Sequence, residues 1–185
     1  MSLKDYLDQV RQHLSVYDSP QFEQAVKIIE DKYLNNNWIF FGGNGGSNAI
    51  VEHFATDWSK GVYQATGQPL KTFVLSSNLS LSTAISNDLA YDKTLSFPLS
   101  IYAKPEDLLV LVSSSGSSPN IINAFKFANQ LGLDVIALSG FGSNSKLLEA
   151  NVSINIDSTD YQVIEDVHHV FGHLVLKFFL EKYNA

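Results

Sequence analysis

The sequence predicts an α/β fold: a three-layer sandwich in which a five-stranded parallel sheet is flanked by helices and preceded by an N-terminal helical hairpin. Three observations carry this expectation. Five short apolar runs are spaced between residues 38 and 156, helical stretches separate them, and the runs are apolar on both faces. Strands buried on both faces read as continuous apolar segments, and parallel neighbours need crossover connections of helical length.

Residues 1–36 read as two helices. Leu3, Tyr6, Leu7, Val10 and Leu14 recur at three- and four-residue spacing, Ser19-Pro20 breaks the pattern, and Phe22, Ala25, Val26, Ile29 and Tyr33 resume it. The apolar stripe of this hairpin is expected to bury against the domain or against another subunit. Strands are expected at 38–41, 72–75, 108–112, 135–138 and 152–156, and helices at 47–66, 80–87, 94–103, 119–131, 145–150 and 160–183. No repeat, linker or low-complexity segment divides the 185 residues, which read as one domain.

Composition narrows the function. With 45% hydrophobic and 17% charged residues the chain has enough apolar surface for a core. A net charge of −7 without a long Lys/Arg cluster argues against direct nucleic-acid binding. The absence of cysteine excludes disulfides, thiolate metal sites and cysteine nucleophiles. No apolar run reaches the roughly 20 residues that span a bilayer, and no signal-peptide pattern opens the chain, so a cytoplasmic location without membrane partners is expected.

Two loops suit an anion. Gly42-Gly43-Asn44-Gly45-Gly46-Ser47 follows the first strand and opens a helix, where free backbone N–H groups and the positive dipole end face outward. Its glycine spacing matches neither the dinucleotide fingerprint nor the P-loop, and a plain tight turn is the competing reading. Ser113 to Asn120 (SSSGSSPN) follows the third strand with five hydroxyls and places Pro119 at the start of a helix. Serines there also serve as ordinary caps. In open parallel sheets, ligands bind beyond the carboxyl ends of the strands, where both loops lie.

Histidines and carboxylates concentrate on two helices. His53 and Asp57 are at i and i+4 and share one helix face. Glu165, His169 and His173 are at i, i+4 and i+8, with Asp166 and His168 nearby, among Val167, Val170, Phe171 and Leu174. Charged groups in an apolar face need partners. Glu165 and His173 are ~12 Å apart along the axis, so one ion reaches both only from between them.

The combination of GGNGGS (42–47), HFATD (53–57), SND (86–88), SSSGSSPN (113–120) and VIEDVHHVFGH (163–173) resembles the SIS (sugar isomerase) domain. Within it, the pattern resembles the phosphoheptose isomerases, which convert sedoheptulose 7-phosphate to D-glycero-D-manno-heptose 7-phosphate. The resemblance implies a homotetramer with its active site between subunits, and zinc held by His53, Asp57, Glu165 and His173. It implies phosphate binding at Ser47, Ser113, Ser115 and Ser118, and a substrate contact at Asp88. Asn44, Gly45 and Gln162 complete the expected substrate-binding set, and Asp57, Glu165 and His173 the expected catalytic set.

The chain departs from the family at four places. Asp57 stands where the best-known members have glutamate, Glu165 where glutamine is usual, Lys60-Gly61 near an arginine position, and Gln162 near an aspartate position. Two carboxylates and two imidazoles form an acceptable zinc set. Either Asp57 or Glu165 is then the base of the isomerisation. Two other readings stay open: a non-catalytic SIS module that binds a sugar phosphate or a protein partner, and an isomerase for another sugar phosphate.

Overall fold

Capping side chains set out the N-terminal hairpin in the computed structural model, which describes residues 2–183. Met1, Asn184 and Ala185, counted in the domain by the sequence reading, lie outside the described residues. The Ser2 hydroxyl accepts the Asp5 amide and the Asp5 carboxylate accepts the Ser2 amide, a reciprocal box that starts α1 (Leu3–His13). Ser19 caps α2 (Pro20–Asn35), whose first position suits proline because that N–H has no intrahelical partner. Ala25 and Ile29 of α2 are fully buried, so the hairpin packs on the domain, while Leu3 and Leu7 of α1 stay exposed.

Five parallel strands form the sheet: β1 (Trp38–Gly42), β2 (Lys71–Val74), β3 (Leu108–Ser113), β4 (Asp134–Ser139) and β5 (Val152–Asn155). Their order is β2-β1-β3-β4-β5. The chain leaves β1 toward one edge and returns to its other side at β3. That reversal makes a crevice at the carboxyl ends of β1 and β3, the place where such sheets take ligands.

Alternation along the strands builds two cores. Ile39, Phe41, Val110, Val112, Ile136 and Leu138 join the layer that holds Phe54, Trp58, Val167, Phe171 and Phe179. Phe40, Leu109, Leu111, Val135 and Ala137 meet Leu99, Ile121, Ala124 and Phe125 on the other face. Each large apolar side chain fully buried here contributes about 1.5–3 kcal/mol.

The helices are α3 (Gly45–Thr56), α4 (Val62–Thr66), α5 (Leu79–Asp88), α6 (Ser96–Tyr102), α7 (Pro119–Leu131) and α8 (Tyr161–Tyr183). Among the described residues no helix is long and apolar enough to cross a membrane.

Three expected helices need correction. The stretch 47–66 is not one α-helix: Asp57–Gly61 is a π segment between α3 and α4. The stretch 94–103 holds α6 only from Ser96, after a 3₁₀ turn at Tyr91–Lys93. Residues 145–150 form turns, not a helix. Six residues are too few to nucleate a helix unaided. Their groups also bond elsewhere: the Lys146 amide donates to the Gly116 carbonyl at 3.0 Å, and the Leu147 amide to the Ser145 hydroxyl at 3.2 Å.

The contact that positions the site lies between α3 and α8. A Cβ on Gly172 would stand 2.1 Å from Phe54 Cδ1. Trp58 stacks on Phe54 at 5.8 Å between ring centroids, and its indole N–H donates to the Gly172 carbonyl at 3.0 Å. One turn further along, a Cβ on Gly61 would meet Leu176 Cδ1 at 2.8 Å. Glycine at both points lets the helices meet closely. A Gly172→Ala exchange is expected to destabilise the protein by about 1–3 kcal/mol through overpacking, read as a lower urea midpoint. An unchanged midpoint contradicts this packing.

Candidate active site

The first loop ends β1 and starts α3. Gly45 has φ +52°, a conformation that favours glycine, and a Cβ on Gly43 would strike the Ser47 carbonyl oxygen at 2.7 Å. Asn44 is the N-cap residue, yet its side chain makes no cap bond. It turns to Asn120 in a two-way amide pair of 2.9 and 2.8 Å, and accepts the Tyr91 hydroxyl at 3.1 Å. The α3 terminus therefore keeps amides without a side-chain cap beside buried Ser47.

The second loop behaves alike. Ser113 and Ser114 are buried, Ser118 is an N-cap without a side-chain bond, and Pro119 occupies the first turn of α7. Gly116 has φ +59°, and a Cβ there would lie 2.0 Å from the Ser145 hydroxyl. Ser115 accepts the Ser117 hydroxyl at 3.1 Å. The Asn44–Asn120 pair ties both helix N-termini into one polar mouth at the sheet's switch point. A cavity of about 200 Å³ opens beside it, lined by Gly43, Asn44, Ser76, Ser82, Ser86 and Thr94 among others.

The second half of the site is a cluster on α3 and α8. His53 Nε2 lies 3.2 Å from Asp57 Oδ2 and 3.3 Å from His173 Nε2, and His173 Nε2 lies 3.7 Å from the same Asp57 oxygen. A ring nitrogen offers one proton or one lone pair. Here His53 Nε2 faces two partners at once, a conflict that a shared cation removes. Donors bound to zinc at 2.0–2.1 Å with tetrahedral angles stand about 3.3–3.4 Å apart, close to the two shorter edges observed. His169 adds a third imidazole, and ligand atoms of His53, His169 and His173 all lie within 4.8 Å of one another. The side chains of His53 and His173 are 42% and 50% exposed, so a substrate can reach them.

The other predicted residues have neighbours of their own. Glu165 sits between the two loops: its carboxylate is 3.5 Å from the Ser114 hydroxyl and fills the space where a Gly46 side chain would stand. Asp88 is exposed at the end of α5 and accepts the Asn87 amide at 2.8 Å. Gln162 is exposed in the first turn of α8, its backbone amide donating to Asp160 at 3.0 Å. Sequence reasoning left out Asn120, Tyr91, Ser76 and Thr94, and noted His169 only for its spacing. Asn120 stood in a quoted motif, but no sequence signal linked it to Asn44.

Comparison with known proteins decides the family. A family model for the SIS domain matches residues 5–140. The phosphoheptose isomerase of Campylobacter concisus is 33% identical over 164 residues, 89% of this chain and 85% of the relative. That of Aliarcobacter butzleri is 33% identical over 175 residues, 94% and 92% of the two chains.

The chain belongs to the phosphoheptose isomerase family of SIS domains.

The solved phosphoheptose isomerase of Neisseria gonorrhoeae superposes with a TM-score of 0.84 at 27% identity, covering 95% of this chain and 93% of that one. A phosphoheptose isomerase from Francisella tularensis superposes at 0.88 with 23% identity, over 97% of each chain, which supports the fold.

Within this phosphoheptose isomerase fold, two histidines of α8 have lowered pKa values. Burial pushes His168 down to about 4, only partly offset by its bond to the Ser139 carbonyl at 3.1 Å. Its Nε2–H is therefore the donor and Nδ1 carries the lone pair. Partial burial, followed by the charges of His53 and His173, lowers His169. The His168 shift has a defined sign: the unfolded chain binds the proton more readily. Its stabilisation is present above pH 6.5 and is lost as pH falls from 6.5 toward 4, by up to about 3 kcal/mol. Urea unfolding of the metal-free protein is expected to weaken more steeply over that window than for His168→Gln. Parallel slopes contradict the neutral buried imidazole.

Proposed function

We propose that the protein is a ketose–aldose isomerase for a phosphorylated sugar, converting sedoheptulose 7-phosphate to D-glycero-D-manno-heptose 7-phosphate. The observation that supports it most is that α3 joins an anion loop at its N-terminus, tied to the second loop through Asn44 and Asn120, to a His/Asp cluster two turns further on that it shares with α8. A module that only bound a sugar phosphate would need the loops alone. We further propose one zinc ion per site, a homotetramer and a cytoplasmic location, as the family resemblance implies.

The phosphate is received by the amides and hydroxyls around Asn44, Gly45 and Ser47, and by Ser113, Ser115 and Ser118. These act without a formal positive charge, through helix N-termini and hydroxyl donors. Asp88 and Gln162 complete the contacts to the sugar. His53, Asp57, Glu165 and His173 are the proposed zinc ligands; bound zinc would supply Lewis-acid polarisation of the carbonyl and its neighbouring hydroxyl.

The proton steps belong to the chain. A carboxylate, Asp57 or Glu165, accepts the proton from C1, and the released electron pair forms the C1–C2 double bond of an enediolate. The proton returns to C2 while one proton passes from the C1 oxygen to the C2 oxygen. His173, half exposed beside the cluster, is the group that moves the oxygen-bound proton.

The test pairs metal analysis with an NMR assay of sedoheptulose 7-phosphate. The wild-type protein is expected to convert it, and His173→Gln to lower kcat by about 10²–10⁴-fold with its circular dichroism spectrum kept. Retained turnover in the variant removes His173 from the mechanism. No conversion by the wild-type protein removes this substrate.

A further inference from the structure

Asparagine is among the most favoured N-cap residues, because its side-chain oxygen accepts the amide of the second or third helical residue. Asn44 stands at that position of α3 with the extended backbone of a cap, φ −123° and ψ 147°, and its carbonyl accepts the Asn48 amide at 3.2 Å. Its side chain nevertheless makes no cap bond. The cause lies outside α3. An amide oxygen has two lone pairs, and both on Asn44 Oδ1 are engaged: by Asn120 Nδ2 at 2.8 Å and by the Tyr91 hydroxyl at 3.1 Å. The return bond from Asn44 Nδ2 to Asn120 Oδ1, at 2.9 Å, fixes the plane of the amide. Asn120 is 1% exposed and is itself held, since its Nδ2 also donates to Thr94 Oγ1 at 3.3 Å and that hydroxyl donates to the Tyr91 carbonyl at 2.8 Å.

We infer that Asn120 is a positioning residue for phosphate: by holding the Asn44 side chain it prevents α3 from capping itself and keeps the Gly46 and Ser47 amides open to the anion. This rests on the reading that phosphate is received at the start of α3, whichever sugar carries it. A cap oxygen and a phosphate oxygen compete for the same N–H groups, so a self-capped α3 is a more stable helix and a poorer receiver of anions. Open donors matter more here because the Glu165 carboxylate flanks the same turn, against Gly46, and repels an incoming anion. Asn120 itself need not touch the ligand. It acts through Asn44, from the second residue of a different helix, and the buried Thr94 hydroxyl keeps it turned toward its partner.

The test compares Asn120→Ala alone with Asn120→Ala in an Asn44→Gly background. Both break the asparagine pair, but only the single variant keeps a side chain at position 44 that can turn back on α3. Full-length protein is titrated with inorganic phosphate and followed by NMR at the Gly46 and Ser47 amides. Asn120→Ala is expected to weaken phosphate binding by about 3- to 30-fold, the range spanned by one N-cap bond, and the added Asn44→Gly to recover most of that loss. In ligand-free Asn120→Ala, hydrogen exchange at Gly46 or Ser47 is expected to slow, because the new cap protects the amide. A loop merely loosened by the substitution exchanges faster. Circular dichroism checks the fold, and Asn120→Leu, which fills the space without a donor, is read in the same way. Wild-type phosphate affinity in the Asn120 variants overturns the inference, as does faster exchange at both amides or a double variant that binds no better than Asn120→Ala. A wild-type protein whose Gly46 and Ser47 amides do not respond to phosphate defeats the anion-loop reading and the inference together. The expected losses in a protein that turns over no sedoheptulose 7-phosphate support the inference and defeat that substrate alone.

Discussion

The close passage of α3 over α8 at Gly172 is the constraint on which the site depends. Phe54 occupies the space that any side chain at position 172 would need, and the Trp58 indole holds the carbonyl of the same residue. His53 and Asp57 flank Phe54 on one helix; His169 and His173 flank Gly172 on the other. The packing that excludes water from the core therefore also sets the separation of the ligand atoms at its rim. The π segment at Asp57–Gly61 contributes to this arrangement, since it brings Trp58 into the core and Gly61 against Leu176 while Asp57 stays at the cluster. π segments recur at functional positions in helices for this kind of reason.

A second constraint orders the other end of the site. Asn44 and Asn120 belong to different loops, and their paired amides fix two helix N-termini side by side. Because Asn44 does not cap its own helix, amides at the start of α3 have no side-chain partner and face the mouth. A part-buried amide pair of this kind is satisfied only in one relative position of the loops, so it confers register as well as stability. Glu165 sits at this mouth, its carboxylate against Gly46 and beside the Ser114 hydroxyl.

Much of this was legible in the chain, and the gaps have physical causes. The five strands were readable because burial on both faces removes polar residues from them, as in Leu108 to Val112. The glycine and serine loops were readable because φ > 0 and close backbone approach favour glycine, as at Gly45 and Gly116. A change of helical register leaves no compositional mark, so the π segment passed as plain helix. Residues 145–150 carried helix-forming side chains, but the Lys146 amide bonds the Gly116 carbonyl of the serine loop and the Leu147 amide the Ser145 hydroxyl. The Asn44–Asn120 pair and the His53–His169 contact join positions brought together only by the crossovers, and spacing within one helix is silent about them.

The central claim is that two helices from opposite ends of the chain hold a single cation between His53, Asp57 and His173. Anomalous diffraction from zinc-grown crystals, collected across the zinc absorption edge, tests it most directly. The account predicts one strong peak about 2.0–2.1 Å from the Nε2 atoms of His53 and His173. No peak between these rings, or zinc bound only elsewhere on the molecule, would contradict it.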